Sequence, residues 1–202
     1  IPGKTIYEDQ EARWTFTVSD LESPPDNLVF NFASTNESLL PPEAMAVEGS
    51  GSERVLVARP TPNEFGRTLI TLTASDGTNS ASRSFTLLVY GVNDPPVLAL
   101  TTNRLVFSAA MMTQTATVVD LNGCTKGPAN ENTQTLRFVV VNPRKDLFRI
   151  QPVISPEGIL SCQPAGTVGT VEVQVYAVDS GGVSYGGQNT SEPLTLTIEL
   201  RP

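Results

Sequence analysis

Hydrophobic and polar residues alternate with a period of two through much of this chain. In Arg13–Ser19 the large residues Trp14, Phe16 and Val18 interleave with Arg13, Thr15 and Thr17. Ile70, Leu72 and Ala74 alternate with Thr71, Thr73 and Ser75, and Phe85, Leu87 and Val89 continue the theme. Farther along, Leu136, Phe138 and Val140 alternate in the same way, as do Val171, Val173, Val175 and Ala177. A two-residue period places one set of side chains on a buried face and the other on a wet one, which predicts β-strands. The threonine-rich outer faces favour strand over helix. The one segment with a helical character, PPEAMAVEG, is short and bounded by proline and glycine, so it reads as a loop or a single turn. Turn residues between short strands predict antiparallel sandwiches.

The strand pattern occurs twice. Thr15–Ser23, TFTVSDLES, returns as Thr115–Gly123, TATVVDLNG, with Asp20 and Asp120 in register. Thr71–Ser80, TLTASDGTNS, returns as Val175–Ser184, VYAVDSGGVS, with Asp76 and Asp179 in register. A repeat of roughly 100 residues is the size of a whole sandwich domain. Between the copies, VNDPPV combines Asn93, Asp94, Pro95 and Pro96. Proline fixes its own φ and extends its predecessor, so this is a short stiff connector. The expected domains are 1–95 and 96–202. Their expected inner residues are Trp14, Phe16, Phe30, Phe32, Ile70, Leu72, Phe85 and Leu87 in the first, and Phe138, Val140, Val173, Val175 and Leu196 in the second.

Composition narrows the chemistry. The 202 residues contain no histidine. That removes histidine-based nucleophile pairs, histidine general bases and most zinc and copper sites. With aromatics at 6% and a single tryptophan, there is little material for a sugar-binding catalytic cleft, and no enzyme activity is expected. The formal charge of −8 disfavours nucleic acid and an anionic membrane surface as partners. No apolar run reaches membrane-spanning length, and the first residues, IPGKTIYEDQ, lack the pattern of a signal peptide. The chain therefore reads as a segment of something longer or a processed form. Its acidic surplus suits either a solvated surface or a hard cation such as calcium.

The tract YEDQ, the turn in FTVSDLESPPDNLVF, the strand ending in ASDG and the closing VNDPP together resemble the tandem cadherin-like and bacterial immunoglobulin-like repeats of large surface proteins. The second copy, from LRFVVVNP through AVDSGG to LTLTIEL, resembles a variant of the same repeat. The resemblance implies an all-β chain of two tandem antiparallel Greek-key β-sandwiches, placed outside the cell or on its surface. It also implies calcium between consecutive domains, held by Glu8, Asn93, Asp94, Asp120, Asn122 and Asp179. The matching first-copy residues are Asp20, Glu22 and Asp76. The chain departs from the pattern where Gly91 and Val92 replace an acid, where Glu64 alone stands for a mid-domain acidic pair, and where Asn122 replaces an acid. These departures leave donors for one weakly held ion rather than three. The competing reading of Asp20, Asp76, Asp120 and Asp179 is that they close Asx-turns on nearby backbone N–H groups.

Cys124 and Cys162 are the only cysteines, and an even count in an extracellular setting predicts a disulfide between them. Asn36 and Asn189 begin Asn-x-Ser sequons and are candidate glycosylation sites. The repeat type leans towards bacteria, whereas the cysteines and sequons lean towards a eukaryotic secretory pathway. The expected function is a rigid spacer or adhesive segment, with neighbouring repeats of the same protein as its partners. The alternatives are a module that binds a surface protein or glycan through the DLNGCTKGPANENTQ insertion, and accessory domains of a large secreted enzyme.

Overall fold

The computed structural model describes Ile1–Pro202 and divides into two compact units, Ile1–Val92 and Asn93–Pro202. Asn93, Asp94 and Pro95, expected in the first domain, are in the second unit. The reason is hydrogen bonding: the Gln188 amide donates to the Asn93 carbonyl at 2.8 Å.

In the first unit the strands are β1 (Lys4–Tyr7), β2 (Ala12–Thr17), β3 (Val29–Ser34), β4 (Met45–Glu48), β5 (Glu53–Ala58), β6 (Gly66–Ser75) and β7 (Ser80–Tyr90). One sheet has the order β1-β7-β6-β3 and the other β2-β5-β4. Pairing is antiparallel except that β1 runs parallel to β7. A parallel pair cannot be joined by a tight turn, and here nearly the whole domain separates the two strands.

The sheets close over Trp14, Leu56, Ile70, Leu72, Phe85 and Leu87. Trp14 meets Phe85 edge-on, with ring centroids 5.1 Å apart. Its indole N–H donates to the Pro2 carbonyl at 3.0 Å, which satisfies the one polar atom of a buried ring. Fully burying a leucine such as Leu56 or Leu87 contributes about 1.5–3 kcal/mol. Phe16, Phe30 and Phe32 pack on this core but are only half-buried.

The second unit repeats the plan. Its strands are β8 (Arg104–Ser108), β9 (Gln114–Thr117), β10 (Leu136–Val141), β11 (Phe148–Ile154), β12 (Ile159–Pro164), β13 (Gly169–Asp179) and β14 (Leu194–Arg201). The sheets are β10-β13-β14-β8 and β11-β12-β9, and β8 again runs parallel to the last strand, β14. Val173, Val175 and Leu196 are completely buried, and Phe138 and Val140 pack against them. The PPEAMAVEG segment forms one 3-10 turn, Pro42–Ala44, and then β4. The Met45 amide returns to the Pro42 carbonyl, and from there the chain pairs with β5. All helical turns in the chain are 3-10 and three residues long. No helix is long and apolar enough to cross a membrane.

Candidate functional site

All four in-register aspartates close turns. Asp20 Oδ1 accepts the Glu22 and Ser23 amides at 2.9 and 2.8 Å, and Asp76 Oδ1 accepts those of Thr78 and Asn79 at 2.7 and 2.6 Å. The Asn79 and Thr78 amides lower the Asp76 pKa, because both bonds favour the charged carboxylate. Asp120 Oδ1 accepts the Asn122 amide at 3.1 Å, and Asp179 Oδ1 accepts the Gly181 amide at 2.8 Å. The Asx-turn reading thus describes these residues in both copies.

Asp179 differs from the others in burial, at 6% exposed. It ends β13 beside Asn93, whose side-chain amide makes three hydrogen bonds within the second unit. Asn93 Nδ2 donates to Asp179 Oδ1 at 3.1 Å and to the Gln188 carbonyl at 2.5 Å. Asn93 Oδ1 accepts from Gln134 Nε2 at 2.7 Å. Beside it, the Asp94 amide donates to Glu131 Oε1 at 3.1 Å, with Glu131 only 8% exposed.

Two glycines make room for this polar knot. A Cβ on Gly181 would lie 1.6 Å from Asn93 Oδ1, and one on Gly127 would lie 1.8 Å from Glu131 Oε2. Glu131 and Gln134 were picked out from sequence only as part of the DLNGCTKGPANENTQ insertion, and Gln188 not at all. The glycine two places after Asp179 is the one local signal of a close approach there.

The oxygens present are of the type that suits calcium. Asp179 Oδ2 and Gln134 Oε1 are buried and accept no hydrogen bond. Both are hard donors in the second unit, bonded through their other side-chain atoms to Asn93. No three carboxylates gather as a group that could hold a metal ion. Any ion held here would therefore rely on amide and carbonyl oxygens as well. Asp120 and Asn122 are exposed on their turn, where the Asp120 carboxylate accepts the Asn122 amide. Glu8, 5% exposed, belongs to the first unit, where Oε1 accepts the Val92 amide at 2.5 Å and its own amide donates to the Tyr90 carbonyl. It fastens the end of β7 to the end of β1.

The expected disulfide is absent: Cys124 and Cys162 are free thiols. Cys162 pairs with Gln114 on β9, whereas Cys124 accepts the Ala99 amide at the level of Asp120. Four residues of strand from Gln114 to Val118 span about 13 Å, well beyond the Cα separation a disulfide tolerates. Burial pushes the Cys162 thiol up to about 11 and raises Cys124 as well.

The two sequon asparagines are half-buried. Asn36 Oδ1 accepts the Leu39 amide, and Asn189 Oδ1 accepts the Thr190 hydroxyl. The insertion from Cys124 to Gln134 closes on itself through a 3-10 turn, Ala129–Glu131, and Lys126 Nζ donating to the Asn132 carbonyl, and is fixed to its unit by the Val97–Thr125 bridge and the Gln134–Asn93 hydrogen bond.

No family model matches this chain, and no curated protein does. Among solved structures, human protocadherin-24 EC1-2 is 17% identical over 98% of this chain and 93% of that one, with a TM-score of 0.52. A second crystal form of the same protein gives 18% identity over 88% and 83%, with a TM-score of 0.51. Drosophila N-cadherin EC1-4 is 17% identical over 98% of this chain and 49% of that one, at 0.47. At such identities the likeness is one of fold, and the fold is that of two tandem cadherin-like β-sandwiches.

Proposed function

We propose that this chain is a non-catalytic structural or adhesive segment of an extracellular or cell-surface protein, a rigid spacer built from tandem sandwich repeats. The observation that carries this reading is the likeness to protocadherin-24 EC1-2 along nearly the whole chain, through both sandwiches and not one alone. Its partners are neighbouring repeats of the same protein, and surface proteins or glycans beyond them. Asn36 and Asn189 are glycan acceptors if the parent passes through a eukaryotic secretory pathway.

Calcium belongs to this proposal as a weak junction ligand. Asp94, Asp120 and Asp179 would supply carboxylates, Asn93 and Asn122 amide oxygens, and Glu8 a further carboxylate. What supports it is the pair of buried, unused oxygens on Asp179 and Gln134. When bound, the ion would neutralise charge and tie oxygens together, with no covalent chemistry. Small-angle scattering in calcium and then in chelator tests it. The expected result is a change in the distribution of particle lengths while circular dichroism stays constant. Asp120→Ala should abolish the change and Asp20→Ala should leave it. Identical curves in both solutions would leave these aspartates as turn residues and the prolines as the source of stiffness.

A further inference from the structure

A strand at the margin of a sheet offers unpaired main-chain groups to any other strand, and proteins blunt such margins with charge, proline, bulges or shortness. Four sheets give this chain eight marginal strands. β1, β4 and β9 are four residues long, and the Thr101 amide already pairs with the segment that continues β9. β2, β8 and β10 carry Arg13, Arg104 and Arg137. β11 carries Arg149 and Pro152 and is broken by register shifts. β3 has none of these devices. Its six residues, Val29–Ser34, contain no charge, proline or glycine and pair with β6 in unbroken register.

The whole sheet behind β3 shares this character. No Asp or Glu lies in β1, β7, β6 or β3, although the chain has a formal charge of −8. Along the chain, the carboxylates next to β3 are Asp26 and Glu37, beyond its two ends, and Asp26 is held by Arg54. The Thr35 amide donates to the Leu69 carbonyl, in register with the β3–β6 ladder. Alternation along an antiparallel ladder then turns the backbone groups of Phe30 and Phe32 away from β6, to the free side. Both rings are half-buried on the core, with Phe30 edge-on to Phe16 at 6.0 Å between centroids. Val29, Asn31 and Ala33 are exposed on the outer face.

We propose that the free edge of β3 is a self-association site, where two copies of this chain pair β3 with β3 antiparallel across a two-fold axis. The occupant is a second copy because the edge is complementary to itself. With the axis at Asn31, Phe30 of each copy exchanges both main-chain bonds with Phe32 of the other, and Val29 lies opposite Ala33. No charge meets a like charge within the paired strands, on a molecule that is otherwise acidic. An edge without charge also gives a foreign strand of either sign nothing to be selected by. The two Asn31 side chains stand directly opposite, where neutral amides bond to one another and like charges would repel.

Sedimentation equilibrium of the unglycosylated full chain, from about 10 μM to about 1 mM, tests this. The average mass should climb from one chain towards two, and hydrogen exchange at the Phe30 and Phe32 amides should slow severalfold over the same range. Asn31→Lys and Asn31→Asp should each stay monomeric, with unchanged circular dichroism and Trp14 fluorescence, since Asn31 is exposed. Mixed in equal amounts they should associate again, because opposite charges then face each other across the axis. A single mass at every concentration, or one rising well beyond two chains, would overturn the proposal. So would a dimer that Asn31→Lys leaves intact, a dimer that leaves Phe30 and Phe32 exchange unchanged, or two variants that stay apart when mixed.

Discussion

Asn93 uses both of its side-chain donors and its acceptor inside the second unit, so removing that amide strands several groups at once. Each orphaned polar group costs about 1–3 kcal/mol when buried, and less here because Asn93 is half-buried. Asn93→Ala should therefore destabilise the second unit by about 2 kcal/mol. Trp14 reports on the first unit alone, so urea unfolding should show the loss by far-UV circular dichroism and not by tryptophan fluorescence. Equal shifts in both signals would mean that Asn93 supports the first unit too. At the cysteines, the thiols should remain free without reductant. Alkylation of unfolded protein should add two groups, whereas in native protein Cys162 should react far more slowly than Cys124, because it is buried and its thiol is pushed up to about 11. A species two mass units lighter that resists alkylation would reinstate the bridge.

Between elements, Arg104 of β8 pairs with Glu199 of β14, and Arg201 on the same strand as Glu199 pairs with it too. The Arg201 and then the Arg104 hydrogen bonds hold the Glu199 carboxyl at about 2, below the ordinary 4.5. A carboxyl with a lowered folded pKa favours the folded form above its unfolded value, and that contribution is lost as pH falls through the folded one. Amides of β8 should therefore exchange faster as pH drops from about 4.5 towards 2, after correction for intrinsic rates. Glu199→Gln should remove that pH dependence, leaving only the effects of other carboxyls. The strands themselves were readable wherever alternation ran for six residues or more, as in β2, β6 and β13. Met45–Glu48 was not, because four residues after two prolines carry too little periodicity to separate a strand from a turn. Its identity comes from pairing with β5.

For the whole molecule, calcium affinity should be weak, on the order of 10⁻⁴–10⁻³ M, the range of extracellular modules. At ten times that constant the bound form gains about 1.4 kcal/mol by mass action. An energy of that size, in the role proposed for calcium, would not decide whether either sandwich folds. In the scattering experiment the calcium effect should therefore saturate in the millimolar range, with both unfolding transitions nearly unmoved. An effect saturating at micromolar calcium would require a richer set of carboxylates than the proposed one.

Two sandwiches and part of each apolar core, Trp14, Ile70, Leu72, Phe85 and Leu87 in the first and Val173, Val175 and Leu196 in the second, were legible from sequence alone. They depend on local periodicity and on a repeat of about 100 residues, both of which survive without knowledge of distant contacts. Only the tertiary structure decided what the polar residues do. Cys124 and Cys162 share one core yet stand at different levels of it, and no spacing along the chain encodes that separation. Gln134 and Gln188 meet Asn93 from loops 41 and 95 residues away, through hydrogen bonds that carry no periodic signature.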